Sequence, residues 1–375
     1  MAFTDKLGVL FIFQKFLLLP NYKADLEKNI IILAFRLLPT IILILFALKD
    51  VFEAYSDDES NIAELLITRD VDGYILLLDI LTSRCGIIAL LLLGFAYNRK
   101  HILLIKSVQE VEDNLYANLN FPQPLCMCFN FRIYLDIAVN SFINFIINVY
   151  YKMNFDSLTL SDIKRLIFDT IFMFANDIII LYLIHFIKKV SDLFVLLRKN
   201  INTVEERDEK IFQYMDNLIR IVPLINACLG AMIFILIILL LFNSVVATYF
   251  LYTFTFEFDI FLYYPLWNYI TIIGCVWVIR SVSYVGYFSF AGSKFTEELE
   301  ELFITIRHIE SECERKKRIV MFNIEQFQMR RLHSQTAITI GGTYEINTSG
   351  IFVVISVTAS YLLVLIQFRQ LEDLI

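Results

Sequence analysis

Histidine, proline and tryptophan are scarce in this chain of 375 residues, with 4, 6 and 2 copies. The four histidines (His101, His185, His308 and His333) lie far apart, so no HExxH-type zinc helix can be built. Six cysteines show no paired spacing. Cys126 and Cys128 form a lone C-x-C, whereas a metal site needs a second pair or added histidines. They read as reduced cytosolic thiols, and no metal or cofactor is expected. GxSxG, Walker and GxGxxG motifs are missing as well. Acidic pairs such as Asp57-Asp58 and Glu300-Glu301 fall on polar stretches and read as solvated surface. The chain is therefore not expected to be an enzyme, nor to bind nucleic acid. No Gly/Ser or Pro linker divides it and no internal repeat is visible, so residues 1–375 read as one membrane domain. A cleavable signal peptide is also missing. Gln14 and Lys15 interrupt the first apolar run, which reads as an amphipathic helix on the inner membrane face.

Charge is the last scarcity, and it turns the argument to what is present. Charged residues make up 19% of the chain and hydrophobic ones 58%, against about 25% and 45–50% in soluble domains. The excess sits in solidly apolar runs, long enough for helices that cross a bilayer in about 20 residues. A β-barrel would need alternating strands. The fold class is thus an all-α membrane protein. Seven spans are expected, at about 29–48, 73–97, 131–151, 166–187, 222–254, 264–290 and 351–368. Lys and Arg set the orientation. The N-terminal segment and the second, fourth and sixth loops hold about 20 of them, among them Arg99, Lys100, Arg198 and Arg315 to Arg318. The opposite loops hold about 6, among them Lys49, Arg69 and Arg369. This places the N-terminus inside and the C-terminus outside, the reverse of a G-protein-coupled receptor.

Residues 188–220 and 294–335 keep apolar positions at helical spacing, for example Leu193, Leu197, Met215 and Leu218, then Phe295, Leu299, Leu302 and Ile306. They read as amphipathic cytosolic extensions of the fourth to sixth spans, suited to anchor subunits to one another. Within the spans, ionised groups are costly and face a partner or a cavity. Asp79 and Arg84 lie five apart on the second span. Asp169 and Asp177 lie on the fourth, with Phe172 and Asn176 beside them. Two readings stay open: bonds between helices, or an outward-facing ligand pocket. Pocket candidates are Asp79, Phe172, Asn176, Asp177, Tyr249, Tyr252, Trp267 and Trp277, with Asn243 at the outer end of the fifth span. An interfacial aromatic belt competes for Tyr264 and Trp267.

The C-terminal block divides into an amphipathic helix to about Gln335, a Gly341-Gly342 hinge with a polar turn whose Ser/Thr can cap a helix, and the last span. In that span Ser356, Ser360 and Gln367 share one stripe, flanked by Val353, Leu363 and Val364. Such a stripe is either a seam between helices or the wall of a pore. Asn347 begins the only N-x-S/T sequon; glycosylation there would put it outside and overturn the topology.

Ser360-Tyr361-Leu-Leu-Val-Leu-Ile-Gln367-Phe368 resembles the T-Y-h-h-h-h-h-Q-F signature of the insect gustatory receptor family, with Ser for Thr. The Gly341-Gly342…Asn347…Gly350 segment is similar to that family's link between the two parts of its last helix. The resemblance implies a tetrameric ligand-gated cation channel in the plasma membrane of sensory neurons, homomeric or heteromeric. One seventh helix per subunit would line a central pore. Gln367 and Phe368 would form the outer constriction, with Val364, Leu363 and Ser360 below. Partners would be a small-molecule tastant, other subunits, the bilayer and monovalent cations, with divalent ions left open. The acids Glu257, Asp259, Glu372 and Asp373 would concentrate cations at the outer mouth. The Phe, Tyr, Leu and Ile around the candidate pocket favour a bitter-type or divergent member over a sugar receptor. An odorant-receptor-like subunit, a seven-span transporter and a poreless scaffold are the rivals.

Overall fold

Long apolar runs with few breakers dictate long helices, and the computed structural model is built of them. It describes residues 41–49, 71–119, 160–201, 209–256, 264–313, 336–340 and 344–372, with single positions 38, 146 and 149. Residues 41–49 are helical. They are followed by α1 (Val71–Ala96), α2 (Asn98–Leu119), α3 (Leu160–Ile201), α4 (Glu209–Phe256), α5 (Tyr264–Cys313) and α6 (Ser349–Glu372). A short antiparallel hairpin, β1 (Thr339–Ile340) and β2 (Tyr344–Glu345), precedes α6, with Thr339 opposite Glu345 and Ile340 opposite Tyr344.

Among the described residues four helices carry stretches long and apolar enough to cross a membrane: Leu77–Ala96, Thr170–Lys199, Tyr214–Thr253 and Ser349–Leu371. They coincide with the expected second, fourth, fifth and seventh spans. The expected sixth span lies in α5, where the side chains of residues 264–270 fall outside the described residues. The expected first and third spans, and the anchor segment 314–335, lie largely or wholly outside them.

α4 is the axis of the molecule. It packs against α1, α2, α3, α5, α6 and β1. Its buried face includes Ile225, Leu229, Met232, Ile233 and Leu236. Gly86 of α1 lets that helix approach α4, because a Cβ there would stand 2.6 Å from Cδ1 of Leu239. The expected cytosolic extensions are continuations of the membrane helices. Leu193 and Leu197 of α3, Met215 and Leu218 of α4, and Phe295, Leu299, Leu302 and Ile306 of α5 are all buried. Phe194 meets Phe295 edge-on at 5.2 Å. Arg198 of α3 clasps Glu298 of α5 at 3.0 Å and also pairs with Glu301.

The sequence reading treated residues 98–119 as a loop with basic residues. They form α2, which continues α1 across a one-residue turn at Tyr97. Backbone bonds from Tyr97 N to Leu93 O (2.8 Å) and from His101 N to Tyr97 O (2.9 Å) carry the ladder through the joint. Leu104, Ile105, Val108 and Leu115 bury one face of α2. His101 is fully buried there, its Nε2 2.8 Å from the hydroxyl of Tyr182, with Phe186 edge-on at 6.4 Å. Burial pushes the His101 pKa down to about 3, so the folded protein holds a neutral imidazole. The unfolded chain takes up a proton near pH 6.5. His101 therefore stabilises the fold fully above about pH 6.5, and that contribution drains away as pH falls toward 3. Thermal melts of the solubilised protein between pH 7 and 4.5 should show a falling midpoint, and His101→Gln should flatten that slope. An identical slope in the variant would remove His101 as its source.

Candidate functional site

Two regions carry polar chemistry inside the helical bundle. The first joins α3 to α5. Asp177 of α3 and Arg280 of α5 are both buried, and Arg280 Nη2 donates to Asp177 Oδ1. The guanidinium also lies 5.5 Å from the ring of Trp277 and 5.3 Å from that of Tyr284. Burying either charge alone would be costly, and the pair is tolerated because the direct contact between the two offsets the desolvation of both. Aromatic faces add attraction for the cation. Next to this pair, Asn176 is buried, and its Oδ1 has no hydrogen-bond partner among the described residues. Asn243 Oδ1 on α4 is in the same condition. Buried amide oxygens of this kind are candidates for a ligand's donor group.

The remaining pocket candidates are divided among other partners. Phe172 is buried under Arg84 of α1, whose guanidinium stands 4.5 Å above its ring. Asp79, half-buried on α1, lies within electrostatic reach of Arg84. Tyr249 is fully buried with Ile75 and Val246, against Leu362 and Leu365 of α6. The cluster that holds Tyr249 therefore abuts the last helix. Tyr252 and Trp277 are half-buried, and the side chain of Trp267 lies outside the described residues. The sequence reading passed over Arg280. A lone Arg in an apolar run is as costly as a lone Asp, and that cost alone could have nominated it as the partner of Asp177.

The second region is α6. Asn347 starts it. Its Oδ1 accepts the Ser349 amide at 3.1 Å and the Ser349 hydroxyl, so the cap is an asparagine where Ser/Thr was expected. Residues 341–343, with the proposed glycine hinge, lie outside the described residues; strands flank them. Only 6% of the α6 span is buried in its own chain. At 100° per residue, Ser356, Ser360 and Gln367 fall within about 40° of one another, while Val354, Thr358 and Leu365 lie about 160–200° away. The latter three are buried or half-buried against the chain. Ser356, Ser360, Tyr361, Leu363, Val364, Gln367 and Phe368 are all exposed. The polar stripe is therefore not a seam within the subunit. The Ser360 hydroxyl folds back on the Ser356 carbonyl at 2.9 Å, which satisfies it locally.

A helical bundle with a buried ion pair and a final helix largely exposed in its own chain narrows the class, and sequence comparison decides it. The profile of the family described as 7tm chemosensory receptor matches residues 26–372. The chain belongs to the 7tm chemosensory receptor family. This is a receptor family, not an enzyme family, and its members are multi-pass membrane proteins. The fold is similar to the structure of the insect olfactory receptor OR5 from Machilis hrabei in complex with eugenol. There the TM-score is 0.62 at 12% identity, over 97% of each chain. A second structure of the same olfactory receptor gives 0.59 at 11% identity, again over 97% of each. No curated protein matches the chain. The receptor thus shares a whole-chain fold with an insect chemoreceptor at low sequence identity.

Proposed function

We propose that this receptor is a gustatory-type, ligand-gated, non-selective cation channel with four subunits around a pore lined by α6. The observation that carries the reading is the polar stripe Ser356, Ser360 and Gln367, which faces directly away from the helix's own subunit. Lipid disfavours such a stripe; a water-filled axis shared with other copies accommodates it. In this reading Gln367 and Phe368 form the outer constriction, with Val364, Leu363 and Ser360 below. The N-terminus lies in the cytosol, the C-terminus outside, and the receptor sits in the plasma membrane of sensory neurons. The ends of α3 and α5 that Arg198, Phe194 and Phe295 bind together, with the buried Met215 and Leu218 of α4, form the cytosolic anchor. A small apolar tastant, bitter-type in chemistry, binds among α1, α3, α4 and α5. Asn176 and Asn243 offer it acceptors, and Trp277 offers an aromatic face. A ligand that fits the open state better shifts the closed–open equilibrium by that difference in affinity. The eugenol complex of the olfactory receptor supports a small-molecule ligand.

Expression in cells and recording under a tastant panel tests this. Cation currents evoked by apolar bitter compounds, and not by sugars, are expected. Steady substrate uptake without current would favour a transporter instead.

A further inference from the structure

The hairpin in front of α6 is held to the two helices it lies between by specific, directional contacts. On one side, Asn226 of α4 uses its whole amide. Its Nδ2 donates to the Ala337 carbonyl at 3.0 Å, and its Oδ1 accepts the Thr339 amide at 3.0 Å. The side chain thereby acts as an extra strand edge for β1. It stands three residues beyond Pro223, which withdraws the backbone donor that would meet the Ile219 carbonyl. On the other side, α5 brings Gly292 against Ile346: a Cβ on Gly292 would stand 2.7 Å from Cγ2 of Ile346, so only glycine permits this approach. One residue on, Ser293 Oγ accepts the Thr348 amide at 2.9 Å. Ile338 and Ile346, joined by a 2.9 Å backbone bond, plug the space between. Both are buried. The segment then enters α6 through the Asn347 cap with no intervening slack.

We propose that Asn226, Gly292 and Ser293 are positioning residues that latch the inner end of α6 to α4 and α5, so that motion of either helix is delivered to the conduction helix through the hairpin. This rests on the reading that α6 lines the pore. The physical basis is that two directional amide hydrogen bonds and a close glycine contact fix the hairpin in translation and rotation.

Hydrogen–deuterium exchange on the full chain in lipid nanodiscs tests the latch without any ligand. Asn226→Ala removes both bonds to β1. Exchange should rise about tenfold at Thr339, as loss of a hydrogen bond implies, and the rise should spread to Ile346, Thr348 and Ser349. Ser293→Ala removes one acceptor from a half-buried position and is the variant to use if Asn226→Ala does not fold. Its effect should spread in the opposite direction, from Thr348 back to Thr339. In single-channel recordings both variants should change spontaneous open probability by about threefold or more, at unchanged unitary conductance. Faster exchange confined to the mutated contact, with α6 protection unaltered, overturns the latch. A wild-type chain that assembles but never conducts removes the channel reading, while the exchange result still stands or falls by itself.

Discussion

Replacing Asp177 with alanine is expected to destabilise the folded receptor by about 3–5 kcal/mol, because it strands the Arg280 guanidinium in a dry, low-dielectric site. Arg280 cannot escape by losing its proton, because a guanidinium stays charged in proteins. Nor can it reach the interface, since α5 carries it some 16 residues into the helix that begins at Tyr264. The aromatic rings of Trp277 and Tyr284 offset only part of the loss. Thermal melts of the solubilised protein, read by size-exclusion fluorescence, measure this directly. The double variant Asp177→Leu with Arg280→Met should melt near the wild type, because apolar pairs of similar size replace buried ion pairs at little cost. If the double variant folds but loses its tastant response, the pair serves ligand recognition beyond its structural role. An Asp177→Ala protein that melts with the wild type would show that the pair does not hold α3 to α5.

The second large effect is at the stripe of α6. In the proposed four-subunit pore, Gln367→Arg would place four guanidinium groups around one axis. The mutual repulsion and the positive field should lower cation current by about tenfold or more. Gln367→Glu reverses the sign and should keep cation current at or above the wild-type level. Both variants leave the buried face of α6, with Val354 and Thr358, untouched, so assembly should persist. Unaltered cation current and reversal potential in Gln367→Arg would remove this side chain from the conduction path.

Helix class, the long extensions of the membrane helices and the start of α6 were legible in the sequence because periodicity and cap chemistry are local. Leu193, Phe295 and Leu299 announce their burial by spacing alone. The polar stripe of α6 was legible too, but its direction was not: that depends on which neighbours cover Val354 and Thr358. α2 was missed because its charged residues outweigh its apolar stripe, although Ile102, Ile105 and Val108 carry the same period. The site was read in halves. Asp177 stood out as an acid, while its partner sits 103 residues away on another helix. The Asn226 latch spans 111 residues and could not be seen from either end.

α4 runs for 48 residues, and at 1.5 Å per residue that is about 72 Å, more than twice the roughly 30 Å thickness of a bilayer core. A single continuous helix thus joins the buried Met215 near one end to the aromatic neighbourhood of Tyr249 near the other. Linkage is reciprocal. In the proposed channel, a protein that grips the Met215 end of α4 and prefers one state would alter the affinity of a ligand at the far end by the same factor by which that ligand alters the protein's own affinity.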